Sequence, residues 1–241
     1  MTLAEIINKR RTIRKFDTNH DFDHSAVTKS LELTMLAPNS SNLQTWEFYR
    51  IRDKNKIKEL VPLCLNQNAA RTASELVVFV SRKDLWKKRI QWHLDNIKYE
   101  QSQGSGDEKK HQKGIRYYSQ SIPFLYKKGW ANLYNIIRWS YLFYNHIRGK
   151  YLINWVTAND TRVVSHKSIG IAAGYFMLSM TDLGYDTCPM EGIDEIKIKK
   201  HLALPHTCEI SMIIACGKGL PEGLYYERKR IPYDQVVFEI K

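Results

Sequence analysis

Polar and apolar positions change period several times along the chain, and the changes mark its elements. Thr2 and Glu5 stand three apart in a reciprocal capping pattern, and Leu3, Ile6 and Ile7 begin an apolar stripe. A helix over about 3–10 is predicted, and its end delivers an arginine-rich run. Asp23 can cap a second helix carrying Val27, Leu31 and Met35 at four-residue spacing, stopped by Pro38. Trp46 to Arg52, rich in aromatic and branched residues, reads as a strand. Asp53 caps a third helix with Ile57, Leu60, Val61 and Cys64. The uninterrupted apolar run Leu76–Val80 predicts a central strand buried on both faces. A further helix is expected over about 83–99.

The second half is read in the same way. Gly104 to Lys110 is a polar break, better taken as a loop than as a domain boundary, because motifs near both termini are needed for one site. An aromatic and basic stretch, Tyr117 to Tyr151, follows. Ser168 is expected to cap a helix whose face is Ile169, Ala172, Phe176, Met180 and Leu183, with Gly184 at the position after its end. Cys188 to Gly192 reads as a turn. Ile210–Cys216 reads as a second buried strand, and Val236–Ile240 as a last short one. The chain is expected to be a single domain, 1–241, with an excursion at about 104–151.

Composition bounds the possibilities. A chain of 241 residues with 43% hydrophobic and 26% charged residues is an ordinary globular sequence. No basic segment followed by an apolar one opens it, and no run approaches a membrane span. Four well-separated cysteines without a C-x-x-C pair point to reduced, buried thiols and a cytoplasmic location. Net charge is +12, and the surplus is concentrated: Lys109 to Asn159 holds nine Lys or Arg and no Asp or Glu. A basic patch is the footprint of nucleic-acid binding, but no helix-turn-helix, zinc finger or RNA-binding motif accompanies it, so no nucleic-acid partner is expected.

The candidate chemistry lies in turns rich in donors. A phosphate needs fixed donors and positive charge, and the planar fork of Arg binds two phosphate oxygens. Arg10, Thr12 and Arg14 alternate, so an extended chain points all three to one side; Arg228 and Arg230 share that spacing. Asn39 to Asn42 offers small polar groups suited to the edge of a flat heteroaromatic ring. Backbone N–H groups around Pro189, Glu191 and Gly192 could stabilise charge gathering on such a ring. No zinc-protease histidine pattern, nucleophile elbow or dinucleotide fingerprint occurs, so no metal site is expected.

Four ordered motifs resemble those of the FMN-dependent nitroreductase family. They are Arg10-Arg11-Thr12-Ile13-Arg14-Lys15-Phe16-Asp17, Pro38-Asn39-Ser40-Ser41-Asn42-Leu43-Gln44-Thr45-Trp46, Pro189-Met190-Glu191-Gly192-Ile193-Asp194 and Arg228-Lys229-Arg230-Ile231-Pro232. The resemblance implies an α+β, nitroreductase-like fold with a central mixed sheet flanked by helices. It also implies a homodimer with two FMN sites at its interface and an exchanged C-terminal tail. The implied flavin site comprises Arg10, Arg11, Thr12, Arg228 and Arg230 at the phosphate and Arg14 at the pyrimidine side. Asn66 would bond the ring, Pro189, Glu191 and Gly192 would lie over it, and Pro38, Asn39, Ser40 and Asn42 would come from the partner. Thr12 stands where Ser is usual, Thr45 where Pro is usual, and Ala69 where a lysine is often found.

The implied activity is reduction of nitroaromatic or quinone-like acceptors by NAD(P)H in a ping-pong cycle. Reductive dehalogenation, flavin-consuming chemistry and FMN binding without turnover are the alternatives. The Tyr117–Tyr151 stretch is compatible with a packed helical excursion, a lid over the flavin or an element resting on anionic lipid.

Overall fold

A computed structural model describes residues 1–127, 133–150 and 158–240. The elements are α1 Leu3–Lys9, α2 His24–Thr34, β1 Trp46–Ile51, α3 Lys54–Leu60, α4 Asn68–Thr72, β2 Glu75–Ser81, α5 Trp86–Ser102, α6 Glu108–Arg116, α7 Ile122–Tyr126, α8 Leu133–Ile147, α9 Ala158–Asp182, β3 Asp186–Met190, α10 Glu195–His201 and β4 Glu209–Gly217. Trp130, Lys128 and Tyr151, which the sequence reading placed in the aromatic and basic stretch, lie outside the described residues.

Local chemistry sets the helix starts. The Thr2 hydroxyl accepts from the Glu5 N–H while the Glu5 carboxylate accepts from the Thr2 N–H, closing the capping box on α1. Asp23 and Asp53 cap α2 and α3 in the same role.

The four strands form one sheet in the order β1-β2-β4-β3. Every strand pair is antiparallel, so among the described residues the sheet is not mixed; the parallel contact is an isolated bridge between Thr12 and Thr187. Alternation along β2 and β4 feeds two cores. Leu76, Val78, Val80, Ile213 and Ala215 face one layer, with Ile57 and Leu60 of α3 and Ile198 of α10. Val77, Phe79, Ile214 and Cys216 face the other, against Val27 of α2 and Ile169, Ala172 and Phe176 of α9. Both faces of the centre are therefore covered, as the apolar run required.

Three expectations are corrected. Ser168 does not cap α9; it lies inside that helix and donates to the Val164 carbonyl one turn back. Cys188 to Met190 belongs to strand β3 rather than to a turn, and Glu191 follows it. Val236–Ile240 is not a strand: past a short turn at Tyr233–Gln235 the tail runs exposed. Gly184 does terminate α9 in the left-handed conformation, at φ +84°.

Part of the excursion packs on the body of the chain. Leu43, Ile90 and Ile122 are buried together, with Trp86, Leu94, Tyr118 and Tyr126 against them.

Candidate functional site

The chain after α1 runs extended beside the edge strand β3. Thr12 bridges Thr187, the Ile13 N–H donates to the Thr187 carbonyl, and Phe16 bridges Gly219. Ile13 and Phe16 turn inward and are buried, so Arg10, Arg11, Thr12 and Arg14 remain available to line an open cavity. The C-terminal segment returns to the same place. The Arg14 N–H donates to Gly223 O at 2.8 Å, and the Leu220 N–H to Lys15 O at 3.0 Å. A cavity of about 410 Å³ results, with Arg10, Arg11, Thr12, Arg14, Arg228, Lys229 and Arg230 in its wall and a single acid, Glu227, among them. The sequence reading paired both ends of the chain for this purpose, and the fold brings them together.

The cavity is electrostatically unbalanced. No carboxylate of the described residues lies within ion-pair distance of Arg10, Arg11, Arg14, Arg228 or Arg230. Burial, followed by the charges of Arg228, Arg230 and Arg11, pulls the Arg10 guanidinium below its ordinary pKa. Repulsion of this kind is relieved by an anion.

The arginines are positioned by different means. Arg228 Nη2 donates to the carbonyls of Arg10 at 2.8 Å, Asn8 at 2.9 Å and Ile7 at 3.4 Å. It thereby ties the tail to the end of α1, where carbonyls lack helical partners and carry partial negative charge. Arg11 Nη2 donates to Tyr226 O at 2.7 Å. The Arg14 guanidinium lies over the Tyr225 ring, 5.3 Å from its centroid.

Tyr225 extends the site. Its hydroxyl accepts from Asn68 Nδ2 at 3.1 Å, at the start of α4 and two residues past Asn66. Gln67 Nε2 in turn donates to Gly192 O at 2.9 Å, and a Cβ on Gly192 would come within 3.3 Å of Leu65. A continuous strip thus runs from the arginine cavity through Arg14 and Tyr225 to Asn66, Gly192 and Glu191. Tyr225 and Gln67 were not singled out from sequence; their only signal was adjacency to Asn66 and to the closing arginine motif. Pro189 sits within β3, paired with Ile214, and Glu191 follows the end of that strand.

The Asn39–Asn42 loop is elsewhere. Its bonds go to α5, the segment after α6, and α9: Asn42 O meets His93 Nε2 at 2.7 Å, Ser41 Oγ meets Tyr117 Oη at 2.7 Å, and the Ser40 N–H meets Ser168 Oγ at 3.3 Å. It leads into β1, on the far edge from β3. Three strand spacings, roughly 14 Å, separate those edges. One chain therefore does not bring Pro38, Asn39, Ser40 and Asn42 to the arginine cavity.

Backbone strain gathers in the same two loops. Of the six described non-glycine residues with positive φ, five are Ser41, Asn42, Gln44, Leu65 and Asn66. Left-handed geometry costs about 1 kcal/mol for such residues and is typical of segments held for binding.

The sequence profile of the nitroreductase family matches residues 7–218. Protein DrgA of Synechocystis sp. is 25% identical over 238 residues, covering 96% of this chain and 91% of the relative. The oxygen-insensitive NADPH nitroreductase of Helicobacter pylori is 22% identical over 229 residues, covering 93% of this chain and 91% of that enzyme. A crystal structure from Exiguobacterium sibiricum, solved in complex with FMN, superposes with a TM-score of 0.72 at 21% identity, covering 100% of this chain and 98% of that one. The match over most of the chain, with the arginine motif and the edge-strand geometry at its start, establishes that this protein belongs to the nitroreductase family.

Proposed function

We propose that the strip from the arginine cavity to Gly192 holds FMN, and that the protein is an NAD(P)H-dependent reductase of nitroaromatic or quinone-like acceptors. The observation that carries this reading is the cluster of five arginines from both chain ends, which outnumbers the single acid, Glu227, in the same wall. The donor set fits a phosphate monoester: several guanidinium forks and the Thr12 hydroxyl face an open cavity.

When bound, the flavin supplies reversible two-electron exchange between nucleotide and acceptor. The chain's own residues bind and orient it. Arg10, Arg11, Thr12 and Arg230 hold the phosphate, and Arg228 fixes the tail that carries Arg230. Arg14, steadied over Tyr225, supplies a fixed positive charge midway along the strip, lowering the cost of negative charge arriving with the electrons. Asn66, exposed between the two residues that meet Gly192, Leu65 and Gln67, offers its amide in a backbone conformation set by the N–H bond to Val61 O at 3.0 Å. No side-chain acid or base is required of the protein.

The Asn39–Asn42 loop completes the site from a second copy. Its separation from the cavity within one chain, its strained backbone and the exposed tail with Ile231, Tyr233 and Phe238 favour a dimer that exchanges these parts. Nucleotide and acceptor then use the same open face in turn, a ping-pong cycle.

The test is steady-state oxidation of NADH and NADPH by the FMN-loaded protein with a nitroarene or a quinone. Parallel double-reciprocal plots are expected. A bound flavin that neither nucleotide bleaches under anaerobic conditions refutes the reductase reading.

A further inference from the structure

Helix α8 is built inside out. Its inner side packs with Arg138 and Leu142, which are buried, and Asn135, which is half-buried. Arg138 Nε donates to Phe124 O at 2.6 Å, its Nη2 to Lys127 O, and its guanidinium lies 6.0 Å from the Phe124 ring centroid. The outer side carries Ile136, Ile137, Trp139, Phe143, Tyr144 and Ile147; Trp139 is 63% and Ile147 68% exposed. At 100° per residue these span a face of roughly 160°. Ordinary surface helices turn the apolar side inward, and a contiguous exposed apolar face marks an interaction surface.

Charge narrows the partner. Arg148 follows this face, its guanidinium 4.6 Å from the Tyr144 ring centroid, and exposed Lys150 comes next. Between residues 109 and 159 the sequence has nine Lys or Arg and no Asp or Glu. A two-fold contact centred on this face would bring the basic stretches of two copies together, and neither stretch holds an acid between residues 109 and 159 to pair them. Trp and Tyr rings with cations alongside instead suit the headgroup layer of an anionic bilayer. The helix is 15 residues long, and among the described residues no helix is long and apolar enough to cross a membrane, so contact is peripheral.

We propose that the outer face of α8 docks the protein on anionic lipid surfaces, with Trp139, Phe143 and Ile147 at the acyl boundary and Arg148 at the headgroups. This stands independently of the flavin reading.

The experiment is co-sedimentation of the full-length protein with phosphatidylcholine vesicles, with and without a quarter phosphatidylglycerol. Binding to the anionic vesicles, weakened by salt, is expected. Trp139→Ser/Phe143→Ser is expected to weaken it at least about tenfold, and the surface change Arg148→Gln roughly fivefold. Absence of binding by the parent, equal binding to neutral vesicles, or binding indifferent to both variants overturns the proposal. So does a change of oligomeric state in the double variant by sedimentation velocity, which would assign the face to a second copy.

Discussion

Arg10 and Arg228 line the same cavity but do different work, and single substitutions separate them. Among the described residues Arg10 has no carboxylate in ion-pair contact, and burial followed by its neighbours' charge disfavours its cation, so Arg10→Ala is expected to weaken FMN binding by about 10–100-fold with little effect on melting. Arg228 holds three carbonyls at the end of α1, so Arg228→Ala is expected to lower both FMN affinity and Tm. Fluorescence titration beside a thermal melt checks both. A second residue-scale test concerns Glu75, whose side chain is fully buried. Its oxygens receive Arg50 Nε at 2.6 Å and Nη2 at 3.1 Å, and His24 Nδ1 lies 2.6 Å away. Arg50 also reaches Thr28 Oγ1 and His24 O, joining β1, β2 and α2. Removing Arg50 leaves the buried Glu75 side chain with His24 alone, so Arg50→Ala is expected to cost about 3 kcal/mol in denaturant unfolding. At this scale the arginine motifs were legible because residue type and alternate spacing are local properties of the sequence. The bonds of Arg50, Tyr225 and Gln67 were not, since each depends on which segments the fold brings together.

The segment from Arg10 to Phe16 holds its place because two glycines, Gly217 beside Phe16 and Gly223 beside Lys15, leave room for it. A Cβ on Gly223 would lie 2.6 Å from Lys15 O and 2.8 Å from Lys15 N, and backbone cannot yield as a flexible side chain can. Gly223→Ala is therefore expected to loosen the docking of the tail and reduce FMN affinity without removing a ligand, which the same titration reads. Another inter-element clamp gives a pH dependence. Arg82 pairs Asp84 through Nε at 3.1 Å and Nη2 at 3.2 Å and also pairs Glu47, while Thr207 Oγ1 donates to Asp84 Oδ2 at 2.8 Å. Burial works to raise the Asp84 pKa, but the hydrogen bonds from Arg82 and Thr207 outweigh it and hold the carboxyl below the usual aspartate range. A folded-state pKa below the unfolded one contributes stability above the ordinary aspartate pKa, and that stability is lost as pH falls through the lowered value. Urea unfolding near pH 3 and pH 7 is expected to show a smaller acid loss in Asp84→Asn than in the parent. Helix starts at Thr2, Asp23 and Asp53 were readable because caps are local. The start of α9 was missed because Ser168 resembles a cap but bonds back to Val164, and β3 because an edge strand ending in Pro189-Met190 gains its identity from pairing with β4.

For the whole molecule, the two ends of the chain converge on one cavity at the β3 edge while the Asn39–Asn42 loop sits at the β1 edge. Sequence motifs marked both regions; their separation within one chain follows from strand order, which no local pattern encodes. The antiparallel sheet is a similar case. The apolar run of β2 required cover on both faces and was silent on direction, and α2 and α9 on one side with α3 and α10 on the other supply that cover. The central claim is that arginines from both ends recognise a flavin's phosphate. The most direct measurement is the affinity of the apo-protein for FMN against riboflavin, which lacks the phosphate. At least a hundredfold preference for FMN, largely abolished by Arg10→Ala, is the result this account requires; equal affinity for the two flavins, or a preference that survives the substitution, would contradict it.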